Sequence, residues 1–195
     1  SNKVFNSMSL INLNSIKDFE KKINEKIQIQ RFRANFYVDG IEAWEERNWV
    51  GKIIKINNII FTHGGISEDF IPYRDFNIEK INDIMRNSIP QSRKDTKSNE
   101  FNRMYYGTKS LIWYRGYFEE NFTYTDISKI LKLVNADHIV IGHTTTEQVT
   151  QLFNNRIFVV DSGLKRGKYG EVLIIKNNRF FRGTLSGELI ELVSE

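Results

Sequence analysis

The chain of 195 residues contains no cysteine, and that one absence removes disulfides, thiolate metal sites and cysteine nucleophiles together. Proline is almost missing, with two residues, and histidine is scarce, with three. No stretch approaches the roughly 18 to 20 consecutive apolar residues that a membrane-spanning helix needs. The start, SNKVFNSMSL, lacks a charged segment followed by an apolar run, so no secretory leader is read there. A cytoplasmic location is the resulting expectation. Charge of either sign is also unremarkable: 28 Lys and Arg against 24 Asp and Glu leave +4. Such a surplus suits an anionic ligand but falls short of a nucleic-acid footprint.

What is present is an ordinary globular composition, 40% hydrophobic, enough for a packed core. Ile16, Phe19, Ile23 and Ile27 recur at helical spacing behind a candidate cap, Ser15. A strand is expected over Phe32 to Val38, closed by Asp39-Gly40. The runs KIIKI and IIF, separated by Asn57-Asn58, predict a hairpin. A helix is expected over Ile78 to Met85, then an exposed polar loop from Asn87 to Ser98. A second helix, capped by Thr125, places Ile127, Ile130, Leu131 and Val134 on one face. HIVIG, RIFVV, EVLIIK and RFFRG are strands, the last two joined by Asn177-Asn178. Helices alternating with buried strands imply an α/β layered core.

Two of the three histidines share one local setting. His63 follows the apolar run NIIFT and precedes two glycines; His143 follows HIVIG and precedes three threonines. Each stands where a buried strand ends, the place where α/β folds hold ligands. Neutral imidazole binds divalent transition metals, so adjacent strands would let the two share an ion. A capping or core role is the plainer alternative for each histidine alone. His138 opens a strand, has no following glycine, and receives no role.

The motifs NIIFTHGGIS, SLIWYRGYF and ADHIVIGHTTT, in that order and with 80 positions between His63 and His143, resemble calcineurin-like metallophosphoesterases from Ile59 onward. That resemblance implies a partial metallophosphoesterase layered β-sandwich with flanking helices. It also implies a serine/threonine-phosphatase-like hydrolase that activates water at a two-metal site. His63 and His143 would be ligands of Mn, Fe or Zn, and Arg115 would grip the substrate phosphate. Gly64, Lys165 and Arg166 would face the substrate, whether a phosphorylated protein, a nucleotide or a small phosphoester. Asp161 would orient a histidine or simply form a turn, and Trp113 would pack in the core. The family's earlier motifs, Asp-x-His, Gly-Asp-x-x-Asp-Arg-Gly and Gly-Asn-His-Glu, do not occur here.

Ahead of the joint, RFRANFYVDG and EAWEERNWVGK resemble part of a MOSC domain, implying a β-rich N-terminal segment with Arg31, Arg33 and Asn35 on an anion-binding side. The expected division is therefore 1–57 and 58–195. Alternatives to the hydrolase are a non-catalytic phosphate-binding module and a MOSC-type molybdenum-cofactor or sulfur-transfer protein. Self-association through unpaired sheet edges is a further expectation.

Overall fold

The computed structural model describes residues 10–32, 36–49, 54–72, 76–88, 104–163, 167 and 169–193. Its centre is a five-stranded sheet in the order β3 (Ile54–Ile56), β4 (Ile59–Thr62), β5 (His138–Ile141), β7 (Ile157–Val159), β6 (Thr150–Leu152). The three inner strands run parallel, with Ile60 opposite Ile139 and Val140 opposite Phe158, and the two edge strands are antiparallel to them. The inner strands are buried on both faces, which explains why their sequences are continuous runs of Ile, Val and Phe rather than alternating ones.

Alternation along those strands sorts the core into two layers. Ile60, Ile139, Ile141, Ile157 and Val159 point to one side. There they meet Ile81 of helix α2 (Ile78–Ser88) and Ile127, Ile130 and Leu131 of helix α3 (Tyr124–Leu133). Ile59, Phe61, Val140 and Phe158 point to the other side. They pack on Leu173 and Phe180 from a three-stranded antiparallel sheet of β8 (Val172–Lys176), β9 (Arg179–Gly183) and β10 (Leu189–Glu191). The rings of Phe158 and Phe180 stack with centroids 4.2 Å apart. The result is a mixed α/β fold, with helices on one face of the central sheet and a small sheet on the other.

Local chemistry accounts for the joints. Asn57 and Asn58 (φ 48° and 61°) and Asn177 and Asn178 (φ 51° and 57°) take left-handed backbone in two-residue hairpin turns. That conformation matches the twist of the flanking strands, and Asn tolerates it. Helix α3 is capped two residues earlier than Thr125, by Thr123. Thr123 accepts from the Asp126 backbone N–H while the Asp126 carboxylate accepts from the Thr123 N–H, a reciprocal capping box.

The N-terminal region departs most from expectation. It holds helix α1 (Leu13–Ile23), capped by Asn12 rather than Ser15, and two parallel three-residue strands, β1 (Leu10–Asn12) and β2 (Phe36–Val38). The strand expected from Phe32 shrinks to β2, because residues 29–32 form a tight 3₁₀ turn. α1 stops at Asn24, whose left-handed backbone (φ 53°) ends it before Ile27. The described part of this region is thus not β-rich, and Arg33 and Asn35 lie outside the described residues, as does most of the polar loop expected over 87–98.

Candidate functional site

Parallel pairing of β4 with β5 sets Thr62 beside Ile141, so the residues that follow leave the sheet at the same end. Gly142 donates its N–H to the His63 carbonyl at 3.0 Å, continuing the pairing past both strands. His63 Nε2 then lies 2.9 Å from His143 Nδ1. His143 holds a left-handed backbone (φ 61°), a conformation that costs a residue with a Cβ about 1–2 kcal/mol and that survives where surrounding bonds enforce it.

The third component arrives on residues 110–118, and one carbonyl anchors it. Leu111 O accepts from Gly64 N at 2.7 Å, from Thr62 Oγ1 at 3.1 Å and from Gly65 N at 3.3 Å. A Cβ at Gly64 would sit 2.4 Å from the Ile112 carbonyl oxygen, so glycine is what permits this approach. Gly64 is buried against that backbone, which gives it a packing role in place of the expected substrate-facing one. Further along, buried Tyr117 donates to Ile66 O at 2.9 Å and accepts from Ile66 N at 2.7 Å. Between these two anchors Arg115 is exposed, and its Nη2 reaches His143 Nε2 at 2.8 Å.

The site is therefore a chain of nitrogen atoms, Arg115 to His143 to His63, set at the edge of the core. Burial, with the neighbouring His143 second, depresses the pKa of His63 from 6.5 to about 4, so this imidazole is neutral at physiological pH. Its Nδ1 is buried and has no hydrogen-bond partner among the described residues, and the same holds for Thr144 Oγ1. Trp113 was expected in the core, but it is 45% exposed and stands edge-on to the His143 ring at 4.8 Å. The buried aromatics of that segment are its neighbours Tyr114 and Tyr117.

Asp161 turns out to organise its own loop. Its carboxylate accepts from Thr145 Oγ1 at 3.0 Å and from Gly163 N at 3.3 Å, and its carbonyl from Thr146 N at 2.8 Å. Lys165 and Arg166 lie outside the described residues. His138 Nδ1 donates to Asn155 O at 2.7 Å and its ring packs on Phe180, away from the other two histidines in role.

A divalent cation fits this donor set in part. Two imidazole nitrogens, His63 Nε2 and His143 Nδ1, face each other, and imidazole is a ligand that a borderline ion accepts. Among the described residues, however, no group of three or more His, Cys, Asp or Glu side chains comes together. The remaining positions around an ion would have to come from solvent, substrate or other protein.

Among known proteins, no family model matches the chain. Shewanella-like protein phosphatase 1 of Plasmodium berghei (strain Anka) is 29% identical over 120 residues, covering 57% of this chain and 32% of its own length. A crystal structure of the cold-active protein-tyrosine phosphatase of a psychrophilic Shewanella species superposes with a TM-score of 0.70 at 40% identity, over 73% of this chain and 43% of that one. A further structure of a cold-active protein tyrosine phosphatase gives 0.71 at 37%, over 77% and 46%. The chain thus spans less than half the length of each of these relatives. They correct the assignments to calcineurin-like metallophosphoesterases and to MOSC: the similarity is to proteins named as Shewanella-like and tyrosine phosphatases. No helix among the described residues is long and apolar enough to cross a membrane.

Proposed function

We propose that this chain carries the phosphate-gripping, imidazole-bearing portion of a protein phosphatase that cleaves phosphotyrosine esters in proteins. The observation that carries the reading is the chain of Arg115, His143 and His63 at the ends of two adjacent parallel strands. The names of the similar proteins support the reaction class and the substrate class.

Each residue has a definable task. The Arg115 guanidinium presents paired donors to two phosphate oxygens, and its exposed position lets a protein-borne ester reach it. His63 and His143, through Nε2 and Nδ1, would hold one divalent ion such as Mn²⁺, Fe²⁺ or Zn²⁺. A bound ion of this kind lowers the pKa of its water and neutralises charge on a phosphoryl group. Burial keeps His63 unprotonated, and hence able to donate a lone pair, at any pH well above 4. Gly64, Leu111 and Tyr117 set the spacing between the imidazoles and Arg115 through the bonds described above.

A second reading rests on the two-imidazole donor set. With two protein ligands in view, the chain by itself would bind phosphate without hydrolysing it. One experiment separates the two. Hydrolysis of an aryl phosphate is followed with added Mn²⁺, beside the His143→Ala variant, while inorganic phosphate binding is measured on both. Metal-dependent turnover that disappears in the variant supports the hydrolase. Binding without turnover supports the phosphate-binding module, and neither binding nor turnover overturns both.

A further inference from the structure

Resting on the phosphatase reading, we propose that Trp113 receives the aromatic ring of a phosphotyrosine and so makes the site prefer aryl over alkyl phosphate esters.

The phosphate group is the same on tyrosine, serine and threonine, so a guanidinium that grips it cannot tell the three apart. What differs is the side chain behind it. A tyrosine ester presents an apolar ring next to the phosphate, whereas a serine ester presents one methylene. A site that distinguishes them needs an exposed apolar surface beside the phosphate donor. The segment that carries Arg115 is rich in aromatic rings, but two of them are spent on the core: Tyr114 and Tyr117 are 7% and 3% exposed. The Trp113 ring, two positions before Arg115, is 45% exposed.

Trp113 and Arg115 meet on the same imidazole. Arg115 Nη2 lies 2.8 Å from His143 Nε2, and the Trp113 and His143 ring centroids lie 4.8 Å apart at an interplanar angle of 84°. A perpendicular contact covers at most one face of the indole, which leaves the other for a second ring. The backbone beneath it is fixed: Trp113 N donates to Ser110 O at 3.2 Å, in the segment that Leu111 O and Tyr117 pin to residues 64–66. A surface ordered in advance loses little freedom when it takes a ligand. The guanidinium carries five donors in a planar fork, so its contact with His143 leaves others for phosphate oxygens. In an aryl ester one oxygen joins phosphorus to the ring, so a phosphate on this fork brings its ring within reach of the indole. Aromatic pairs add, beyond the area they bury, the equivalent of roughly two- to tenfold in affinity.

The test compares two peptides of one sequence, bearing phosphotyrosine or phosphoserine, by calorimetric titration of the full chain. The unaltered chain should bind the first roughly two- to tenfold more tightly. Trp113→Leu should bring this ratio to about one, and Trp113→Phe, which keeps a ring, should retain most of it. A general loss of affinity or of folded protein cancels in the ratio, so a merely structural role for Trp113 would leave it in place. Phe118→Leu, at a ring 40% exposed, should not move it either. In the unaltered chain the Trp113 indole N–H resonance should shift with the phosphotyrosine peptide and not with the phosphoserine one, since only the former brings a ring current. A ratio of about one in the unaltered chain, a ratio that survives Trp113→Leu, or an indole that responds equally to both peptides overturns the proposal and leaves phosphate binding standing. Binding of neither peptide overturns the phosphatase reading and this proposal with it.

Discussion

The region up to Trp49 and the region from Ile54 onward are held together by different forces. Beyond Ile54, two apolar layers clamp the central sheet, and residues such as Ile60, Ile139, Val140 and Phe158 are fully buried. Up to Trp49, Ile16 alone among the described hydrophobics is buried, and the buried company it keeps is polar, Asn12 and Ser15. There the Glu46 carboxylate accepts from Asn12 Nδ2 at 3.0 Å and from Ser15 Oγ at 2.9 Å, and Trp44 Nε1 donates to Asp18 at 2.7 Å. Apolar burial is non-directional and tolerant of sequence, whereas a hydrogen-bonded cluster depends on every member having its partner. The two regions should therefore fail in different ways.

The largest effect is expected in the apolar region. Phe158→Ala, which empties the space between the two sheets, should destabilise the protein by about 3–5 kcal/mol in denaturant titration. A loss below about 1 kcal/mol would mean that the small sheet contributes little. Next comes Glu171, buried at 3% exposure, which binds Arg182 at 2.7 and 2.9 Å and Val149 N at 2.9 Å. Glu171→Gln leaves the Arg182 charge unpaired and should cost about 3 kcal/mol.

In the polar region, Ser15→Ala removes the donor to Glu46 and the acceptor of the Trp44 N–H. It should cost about 1–2 kcal/mol and speed hydrogen exchange at Trp44, while amides of β5 stay as protected as before. Equal deprotection of both would show that the regions open as one unit.

Acid should separate them too. His63 has a folded pKa near 4 against 6.5 unfolded, so between those values the unfolded chain binds more protons. Its contribution to the sheet region is complete above pH 6.5 and lost as pH falls toward 4, on the order of 1–2 kcal/mol after allowance for partial exposure. Asp18, Glu20 and Asp39 are depressed in the same direction, but from a more acidic starting range. Bonds to Lys22 and Trp44, to Ile27 N and Lys26, and to Gly40 N and Lys17 hold these carboxyls below their ordinary 3.8 to 4.5. Their support persists above that range and is lost only below it. Stability followed from pH 7 to 3 by near-ultraviolet and helix signals should show the sheet region responding first. The smallest effect is Phe19→Ala, at a side chain 41% exposed, expected within about 0.5 kcal/mol.

Those forces also decide what the sequence makes legible. The inner strands, the helix face of Ile127, Ile130 and Leu131, and both Asn-Asn hairpins follow from apolar runs and turn chemistry within a few residues. The His63–His143 pairing follows as well, since two matched strand ends become neighbours as soon as their strands pair. The true start of α3 was available in Thr123 and Asp126, three apart, had the capping box been preferred to the single cap. The N-terminal region offers no such pattern. Asn12, Ser15, Trp44 and Glu46 meet across 29 to 34 positions through side-chain bonds that have no period. Trp113 misleads for a related reason: Tyr114 and Tyr117, which follow it, take the buried places, and the largest ring of the segment is left beside His143 and 45% exposed. Short β6 and β10 become strands only because a neighbour pairs with them.

The parallel pairing of β4 with β5 also has a consequence in time. β3 and β4 can close as soon as both have left the ribosome, and β8, β9 and β10 follow one another as local hairpins. The inner edge of β4, by contrast, waits for β5, which is synthesised after α2 and α3, and β5 waits in turn for β7. Long-range parallel pairing is slow to form, and a waiting strand edge is open to wrong partners. His63 therefore spends the synthesis of 80 residues without His143, and the candidate site cannot form before β5 has paired with β4.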